Sequence, residues 1–287
     1  AVDALWPKPL PNNWILGQVA GIAVDRNDTI WLIHRPLTLT DDEKGAALTP
    51  PRSKCCVAAP PVLQFDRAGN LLRSWGGKGT GYDWPANEHG IYVDPKGDVW
   101  VGGNANTDGM LLKFTPDGKF LMQIGKPGKG EGSNSTTQLS RPAHMELDAD
   151  ANELFVADGY GNRRVIVFDA ATGAYKRHWG AYGKKPEDGN FPNYNPESAH
   201  FGMPVHCVRM TKDNLVYVCD RMNNRVQIFN KKGEFLKQFV YDAATQGSGS
   251  TWDLVPSEDA AQRYLLIADG TNNEVRIVER ATGEKIG

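Results

Sequence analysis

The feature that most constrains the fold is a repeated segment, seen most clearly in residues 141–180: RPAHMELDADANELFVADGYGNRRVIVFDAATGAYKRHWG. Its strands MELDA, ELFVAD, RRVIVFD and AYKRHWG are bounded by Gly, Asn and Asp, which is typical of a small antiparallel sheet. One such sheet cannot bury both of its faces alone. A stable chain therefore needs further copies of the segment packed beside it.

Four further copies are present. Two of them begin at His89 and His206, a third begins near Ala20 and resumes at Val62, and the last begins at Trp252. The repeat period is about 55 to 65 residues, and each unit contains four strands, which is typical of a β-propeller blade. The sequence therefore predicts that residues 1–287 form a single all-β propeller domain.

The repeats resemble NHL repeats, whose pattern is an apolar strand, Asp-x-x-x-Asn-x-Arg-Val and a second apolar strand. ADGYGNRRVIVF and CDRMNNRVQIF carry this pattern in full, whereas ADGTNNEVRIV has Glu274 in place of Arg. NHL propellers often have six blades and five repeats are visible, so either the ring has five blades or a final blade is missing; we favour the six-bladed design. The final ATGEKIG aligns with the start of a fourth strand, so we expect the last blade to be incomplete or absent. A propeller fold does not specify function.

Composition and charge exclude two classes of partner. The net charge is −2 and there are no Lys/Arg runs, so we expect neither nucleic-acid binding nor attraction to membrane surfaces. No apolar stretch is long enough to cross a bilayer, so membrane insertion is not expected. The chain begins at AVDALWPKP without Met, which fits a secreted or periplasmic protein after removal of a signal peptide.

The first repeat is interrupted by an insertion at residues 36–61, which is long enough to be a functional loop. It contains Cys55 and Cys56, which either pair with each other or elsewhere. Cys207 and Cys219 lie on neighbouring predicted strands, roughly opposite each other. They are either a cross-strand disulfide or two buried free thiols.

Three histidines occupy one repeat position. His89, His144 and His206 each lie 13 residues before the same point of the second strand in their units, where the first and fifth units have Ala20 and Trp252. Innermost strands line the channel of a propeller, so the three imidazoles are expected to converge at one mouth. Three neutral imidazoles with an open position describe a catalytic Zn²⁺ site. The alternative is that each His caps a strand or bonds a loop.

Residues that directly follow a second strand emerge at the same mouth. They include residues 159–164 of the third repeat and His34 and Arg35 of the first. The insertion begins at this mouth too, so we expect residues 36–61 to cover part of it.

These segments resemble peptidyl-α-hydroxyglycine α-amidating lyase, which cleaves a C-terminal hydroxyglycine to give a peptide amide and glyoxylate. ADGYGNRRVIVFDAATGAYKRHWG is similar to the segment that carries its catalytic Tyr, and WLIHRP to the segment with its active-site Arg. The resemblance implies catalytic roles for Tyr160 and Arg35, and Zn²⁺ ligation by His89, His144 and His206. It also implies a structural Ca²⁺, whose ligands the sequence does not locate.

The implied chemistry is a zinc-assisted carbon–nitrogen bond cleavage. Zn²⁺ would be the Lewis acid, Tyr160 the base that takes the hydroxyl proton, and Arg35 the partner of a carboxylate. The substrate would be a small molecule or a peptide C-terminus. The alternatives are another three-His hydrolase or lactonase and a non-enzymatic NHL binding module; lactonase-type propellers favour Ca²⁺ held by Glu, Asn and Asp. The oligomeric state is not indicated by the sequence.

Overall fold

The computed structural model describes residues 3–287, which form five antiparallel sheets and one short parallel pair of strands. The first sheet contains β2 (Gln18–Val24), β3 (Ile30–Arg35), β5 (Val62–Phe65) and β6 (Leu71–Trp75). The second contains β7 (Glu88–Val93), β8 (Val99–Gly103), β9 (Met110–Phe114) and β10 (Phe120–Gly125). The parallel pair is β1 (Trp14–Ile15) with β4 (Val57–Ala58), and β4 lies in the insertion.

The other three sheets follow in chain order. The third contains β11 (His144–Asp148), β12 (Glu153–Asp158), β13 (Arg164–Asp169) and β14 (Tyr175–Trp179). The fourth contains β15 (Val205–Met210), β16 (Leu215–Asp220), β17 (Arg225–Asn230) and β18 (Phe235–Val240). The fifth contains β19 (Asp253–Pro256), β20 (Tyr264–Asp269) and β21 (Glu274–Glu279). Each sheet is a meander in chain order, as predicted for propeller blades.

The chain divides into two compact units, which we describe separately. One comprises the described residues up to Ala105 together with Leu111–Ile124, and the other comprises Asn106–Met110 and Gly125–Gly287. In each unit the first strands of successive sheets contact one another, which agrees with their prediction as innermost strands. The single domain predicted for residues 1–287 stays a prediction.

The number of blades differs from the six-bladed expectation. Residues 3–287 form five sheets, and the fifth has three strands. Beyond β21, Lys285 bridges Val278, and the Ile277 N–H donates to the Gly287 carbonyl at 2.9 Å. ATGEKIG therefore runs along β21 where a fourth strand would lie, as the repeat alignment predicted.

The described residues contain very little helix, as expected for an all-β chain. They have four short 3-10 turns, at Pro36–Thr38, Gly45–Ala47, Ala181–Gly183 and Arg221–Asn223. The first two lie in the insertion. None of the helices in residues 3–287 has the length and apolar character needed to span a membrane.

The Asp and Arg of the NHL pattern form a buried ion pair in the third and fourth sheets. Arg164 Nε donates to Asp158 Oδ2 at 2.9 Å, and Arg225 Nε donates to Asp220 Oδ2 at 2.7 Å. All four side chains are fully buried. Buried charges need further hydrogen bonds to offset their desolvation, and here most of the remaining donors go to the main chain, with Arg225 Nη1 also donating to the Tyr182 hydroxyl at 2.8 Å.

These donors anchor the long loops that lead into the first strands. Arg164 donates to the carbonyls of Ser133 and Gln138 at 3.0 and 2.8 Å. Arg225 donates to the His200 carbonyl at 3.0 Å. Each arginine thereby ties the loop before its own sheet to the end of the second strand, which fixes where that first strand begins.

The fifth sheet keeps this arrangement despite Glu274. Arg276, two residues further along β21, is buried and pairs with Asp269 and Asp242. Its Nε also donates to Glu274 Oε1 at 2.7 Å. The three carboxylates lie close together because they share one guanidinium, so we assign this cluster a structural role and no metal.

Both cysteine pairs are oxidised. Cys207 and Cys219 are directly opposite each other on β15 and β16, with Cα atoms 4.8 Å apart, and form a disulfide. Cys55 and Cys56 are joined to each other. The alternative of two buried free thiols is therefore wrong for Cys207 and Cys219, because the cross-strand Cα distance is within the range that a disulfide accepts.

Candidate active site

A β-bulge sets the direction of the His206 side chain. Val205 pairs with Asp220 and Cys207 pairs with Cys219, so His206 is the extra residue between two paired positions of β15. His144, by contrast, lies in a regular pair opposite Ala157. A bulge redirects a side chain and occurs often beside active sites. The equal spacing in sequence therefore conceals two different local geometries.

Both imidazoles are oriented by main-chain carbonyl groups. His144 Nδ1 lies 3.0 Å from the Val208 oxygen, and His206 Nδ1 lies 2.5 Å from the Trp252 oxygen. A carbonyl oxygen only accepts, so Nδ1 carries the hydrogen in each ring and Nε2 presents a lone pair. This tautomer, held by an outer-shell acceptor, is the arrangement found around metal-binding histidines. The donor set of these two residues thus fits Zn²⁺.

The environment of His206 keeps its ring neutral. Burial is the main cause that lowers the pKa of His206, to about 3, and the Arg221 guanidinium and His144 act in the same direction. Asp253 opposes them. Metal ligation requires a neutral imidazole, so this electrostatic setting favours a ligand role.

Tyr160 lies against His206. Its hydroxyl is 3.0 Å from His206 Nε2, and the two rings meet edge to face with centroids 5.6 Å apart. The preceding Gly159 makes this approach feasible, because a Cβ at that position would lie 1.9 Å from the Val205 carbonyl oxygen. The loop after β12 can therefore press onto β15 only with glycine at position 159.

Arg221 is a site residue that we did not predict from the sequence. Its Nη1 lies 3.3 Å from the Tyr160 hydroxyl, and its guanidinium lies 4.7 Å from the centroid of the Trp252 ring. The guanidinium carbon of Arg141 lies 5.6 Å from the centroid of the Tyr160 ring. Arg221 directly follows the second strand of its sheet, so the positional rule that selected Tyr160 and Arg35 applied to it as well.

Arg35 occupies the equivalent place in the other compact unit. It ends β3, donates from Nε to the Glu88 carbonyl at 2.7 Å and brings Nη2 to 3.4 Å from His89 Nδ1. The neighbouring His34 is fully buried, and its Nδ1 accepts the Gly17 N–H at 3.0 Å. Arg35 therefore faces His89, while His34 is bound within the first sheet.

The structure thus places each predicted catalytic residue against one predicted metal ligand. Tyr160 contacts His206 in one unit, and Arg35 contacts His89 in the other. His144 and His206 influence each other electrostatically within their unit. Convergence of all three imidazoles on one ion stays a prediction, as do cover by residues 36–61 and the Ca²⁺ site.

Comparisons with known proteins agree with the repeat pattern. Residues 205–229 match the NHL repeat family. The chain is 26% identical over 287 residues to peptidyl-alpha-hydroxyglycine alpha-amidating lyase 1 of Drosophila melanogaster, covering 95% of this chain and 47% of that protein. It is similar in sequence to amidating lyases. A further relative, NHL repeat-containing protein 3 of Homo sapiens, is 28% identical over 236 residues, with 79% and 60% covered.

Solved structures support the fold alone. A streptogramin B lyase superposes with a TM-score of 0.56 at 12% identity, covering 94% of this chain and 68% of that chain. A gluconolactonase from Xanthomonas campestris gives 0.54 at 14% identity, covering 88% and 69%. The fold is all-β, of the NHL propeller type, with five blades in residues 3–287. The chain spans about half the length of the Drosophila lyase.

Proposed function

We propose that this protein is a zinc-dependent lyase that cleaves the carbon–nitrogen bond of a peptidyl-α-hydroxyglycine and releases glyoxylate. The observation that carries the proposal is the contact of Tyr160 with His206 Nε2 at 3.0 Å, with Arg221 at 3.3 Å from the same hydroxyl. It puts a proton-transfer group, a metal-type ligand atom and a cation within one small region. The similarity to amidating lyases supplies the substrate class.

The metal would be held by His89, His144 and His206, and when bound it would supply Lewis acidity toward the substrate oxygen atoms. His144 and His206 are already fixed with Nε2 as the ligand atom by the Val208 and Trp252 carbonyls. Their contribution is to hold two imidazoles in a ligand orientation, with the Tyr160 hydroxyl leaving His206 Nε2 when the metal binds.

Tyr160 is the proposed base. As a phenolate, formed when its own proton passes to solvent, its oxygen takes the proton of the substrate hydroxyl; the C–O bond becomes the C=O of glyoxylate and the C–N bond breaks. The departing nitrogen takes a proton and becomes the terminal amide. Arg221, buried beside the phenol oxygen, accommodates negative charge on that oxygen before the proton arrives.

Arg35 is the proposed partner of the substrate carboxylate. Arg35 is half-buried and its guanidinium faces His89, so a carboxylate bound beside His89 would lie within its reach. A planar fork of donors suits carboxylate binding. We also propose a secreted or periplasmic location, because the Cys207–Cys219 disulfide persists in oxidising compartments.

The experiment measures metal content and glyoxylate together. Protein purified without chelator or His tag is assayed for bound metal and for glyoxylate release from an α-hydroxyglycine-extended peptide. We expect bound zinc and activity in the wild type, and loss of both in His144→Ala and His206→Ala. His178→Ala is the matched control, because His178 is not one of the proposed ligands. Its Nδ1 lies 2.9 Å from the Tyr175 hydroxyl. Intact, zinc-loaded protein that releases no glyoxylate would overturn the proposal.

A further inference from the structure

A cavity of about 320 Å³ adjoins the Tyr160 loop in the unit that contains the third to fifth sheets. Its lining includes Gly130, Ser140, Gly161, Asn162, Arg163 and Met203. Gly161 directly follows Tyr160, and Met203 lies three residues before His206. The cavity therefore includes a residue next to the proposed base and a residue close in sequence to His206.

Asn162, one of the residues that line this cavity, has an unsatisfied acceptor. The residue is 1% exposed, and its Nδ2 donates to Asp158 Oδ2 at 2.7 Å. A carboxylate oxygen accepts that hydrogen bond, so the amide orientation is fixed and Oδ1 points away from Asp158. Among residues 3–287, buried Asn162 Oδ1 has no hydrogen-bond partner. Burying such a group without a donor is costly, so its presence requires an explanation.

The fourth sheet shows how the same position is normally satisfied. Asn223 Nδ2 donates to Asp220 Oδ2 at 2.9 Å, as Asn162 does to Asp158. Its Oδ1, however, accepts the main-chain N–H of Asn195 at 3.3 Å. The repeat position is thus built to receive a main-chain N–H, and in the third sheet the protein does not provide one.

Three charged residues also line the cavity, Lys129, Arg163 and Asp188, and the last two are engaged by the protein itself. Arg163 donates from Nη1 to the Phe201 carbonyl at 2.5 Å and from Nη2 to the Gly189 carbonyl at 3.2 Å. Asp188 accepts from the N–H of Ser133 at 2.9 Å. The unsatisfied oxygen of Asn162 therefore favours a ligand that donates a hydrogen bond, as the N–H of a peptide main chain does.

We propose that this cavity is a subsite for the peptide chain of the substrate, in which Asn162 Oδ1 accepts the main-chain N–H of the residue before the cleaved hydroxyglycine. The inference rests on the proposed lyase function and extends it to substrate recognition. A peptide is the ligand that would present such an N–H one residue from the reacting carbon. Glycine positions in the wall allow its main chain to approach closely.

The test replaces the hydrogen of one main-chain N–H of the substrate with a methyl group. Acetyl-alanyl-α-hydroxyglycine and its analogue with N-methylalanine are compared by kcat/KM for glyoxylate release. In the wild type we expect methylation to lower kcat/KM by about 3- to 10-fold, the range of one neutral hydrogen bond. In Asn162→Ala the two substrates should give equal values. Asn272→Ala is the matched control, because it removes the same Asn–Asp hydrogen bond (2.7 Å) in the fifth sheet and should keep the discrimination.

Two results would overturn the subsite: equal kcat/KM for both substrates in the wild type, or a methylation effect that persists unchanged in folded Asn162→Ala. The wild-type comparison stands even if that variant does not fold. If no substrate releases glyoxylate, the lyase function is wrong, and binding of acetyl-alanine amide, measured calorimetrically, decides the subsite. Weaker binding of the N-methyl analogue to the wild type would support the subsite, and equal binding would reject it.

Discussion

In the third and fourth sheets an Asp, an Asn and an Arg hold the loop between the second and third strands in the same way. We call these three residues the frame. The side chains between them differ. In both, a buried Asp at the end of the second strand pairs with a buried Arg of the third strand, and an Asn side chain caps the Asp. Between these fixed points the third sheet presents Tyr160 and the fourth presents Arg221. The two side chains meet at 3.3 Å.

This comparison separates structural from functional positions within one repeat. The Asp, Asn and Arg hold the loop, and they are the residues by which an NHL repeat is recognised. The residues between them differ between the two sheets, and the proposed chemistry is placed there. Substitution of the Asp, Asn or Arg should therefore lower stability, whereas substitution of the residues between them should lower turnover.

The largest effect is expected at Tyr160. Tyr160→Phe removes the proposed base but no metal ligand, so kcat should fall by about 10²- to 10⁴-fold, with bound zinc unchanged. Steady-state glyoxylate release and metal analysis check this. Met222 is the corresponding residue after Asp220, and Met222→Leu should leave kcat within a few-fold. Equal losses in the two variants would argue against a specific role for the Tyr160 hydroxyl.

The buried arginines should control stability. Arg164→Met and Arg225→Met each leave a buried carboxylate without its cation, so each should lower the free energy of unfolding by about 3–5 kcal/mol. Urea unfolding monitored by fluorescence measures both values. Because the frames match, the two losses should be similar. A loss in one sheet only would show that the frames are not equivalent.

Arg221 should have an intermediate effect on turnover. Arg221→Gln keeps a polar group beside the Tyr160 oxygen but removes the positive charge, so kcat should fall by roughly 10- to 100-fold. The unfolding free energy should change much less than in Arg225→Met. A pH–rate profile adds a second readout, since loss of the cation should move the acidic limb of kcat, on which the base loses its proton, to higher pH. An unshifted profile would argue against the proposal that Arg221 stabilises negative charge on the Tyr160 oxygen.

The smallest effect is a pH dependence of stability from His206. Its pKa is about 3 in the fold, so an unfolded chain with an ordinary histidine binds a proton that the folded chain does not between roughly pH 6.5 and 3. Stability from this group is complete above that window and is lost as pH falls, by at most about 2 kcal/mol from pH 7 to pH 5. The metal-free wild type and His206→Gln are compared by urea unfolding.

The comparison with the variant matters because another residue opposes this trend. Burial raises the pKa of Glu146 to about 7, so its contribution to stability falls as pH rises from about 4.5 to 7. The difference between wild type and His206→Gln isolates the histidine. Identical pH dependence in both proteins would contradict the assignment of a neutral, buried His206.

The sequence predicts the sheets well because each repeat carries its own turns and alternation. MELDA and ELFVAD correspond closely to β11 and β12. The bulge at His206 was not predictable, since it depends on how β15 and β16 pair and not on the residues of either strand. The role of Arg276 was missed for a similar reason: its long side chain reaches Asp269 from two positions beyond the expected one.

The site was predicted in part. The position of Tyr160 after a second strand indicated that it would lie near a first strand, and it contacts His206. Arg221 was missed because the sequence shows which end of a sheet a residue occupies but not how far its side chain reaches. The unsatisfied oxygen of Asn162 could not be found from sequence, because Asn223 carries the same motif and is satisfied.

The main-chain contacts of His144 and His206 have an evolutionary consequence. The acceptors belong to Val208 and Trp252, but every amino acid contributes a carbonyl, so mutation of those side chains leaves the acceptor in place. An imidazole that appears at such a position inherits its orienting partner from the fold. A metal centre in this architecture can therefore be acquired or lost one histidine at a time, with no second mutation needed to orient the ring.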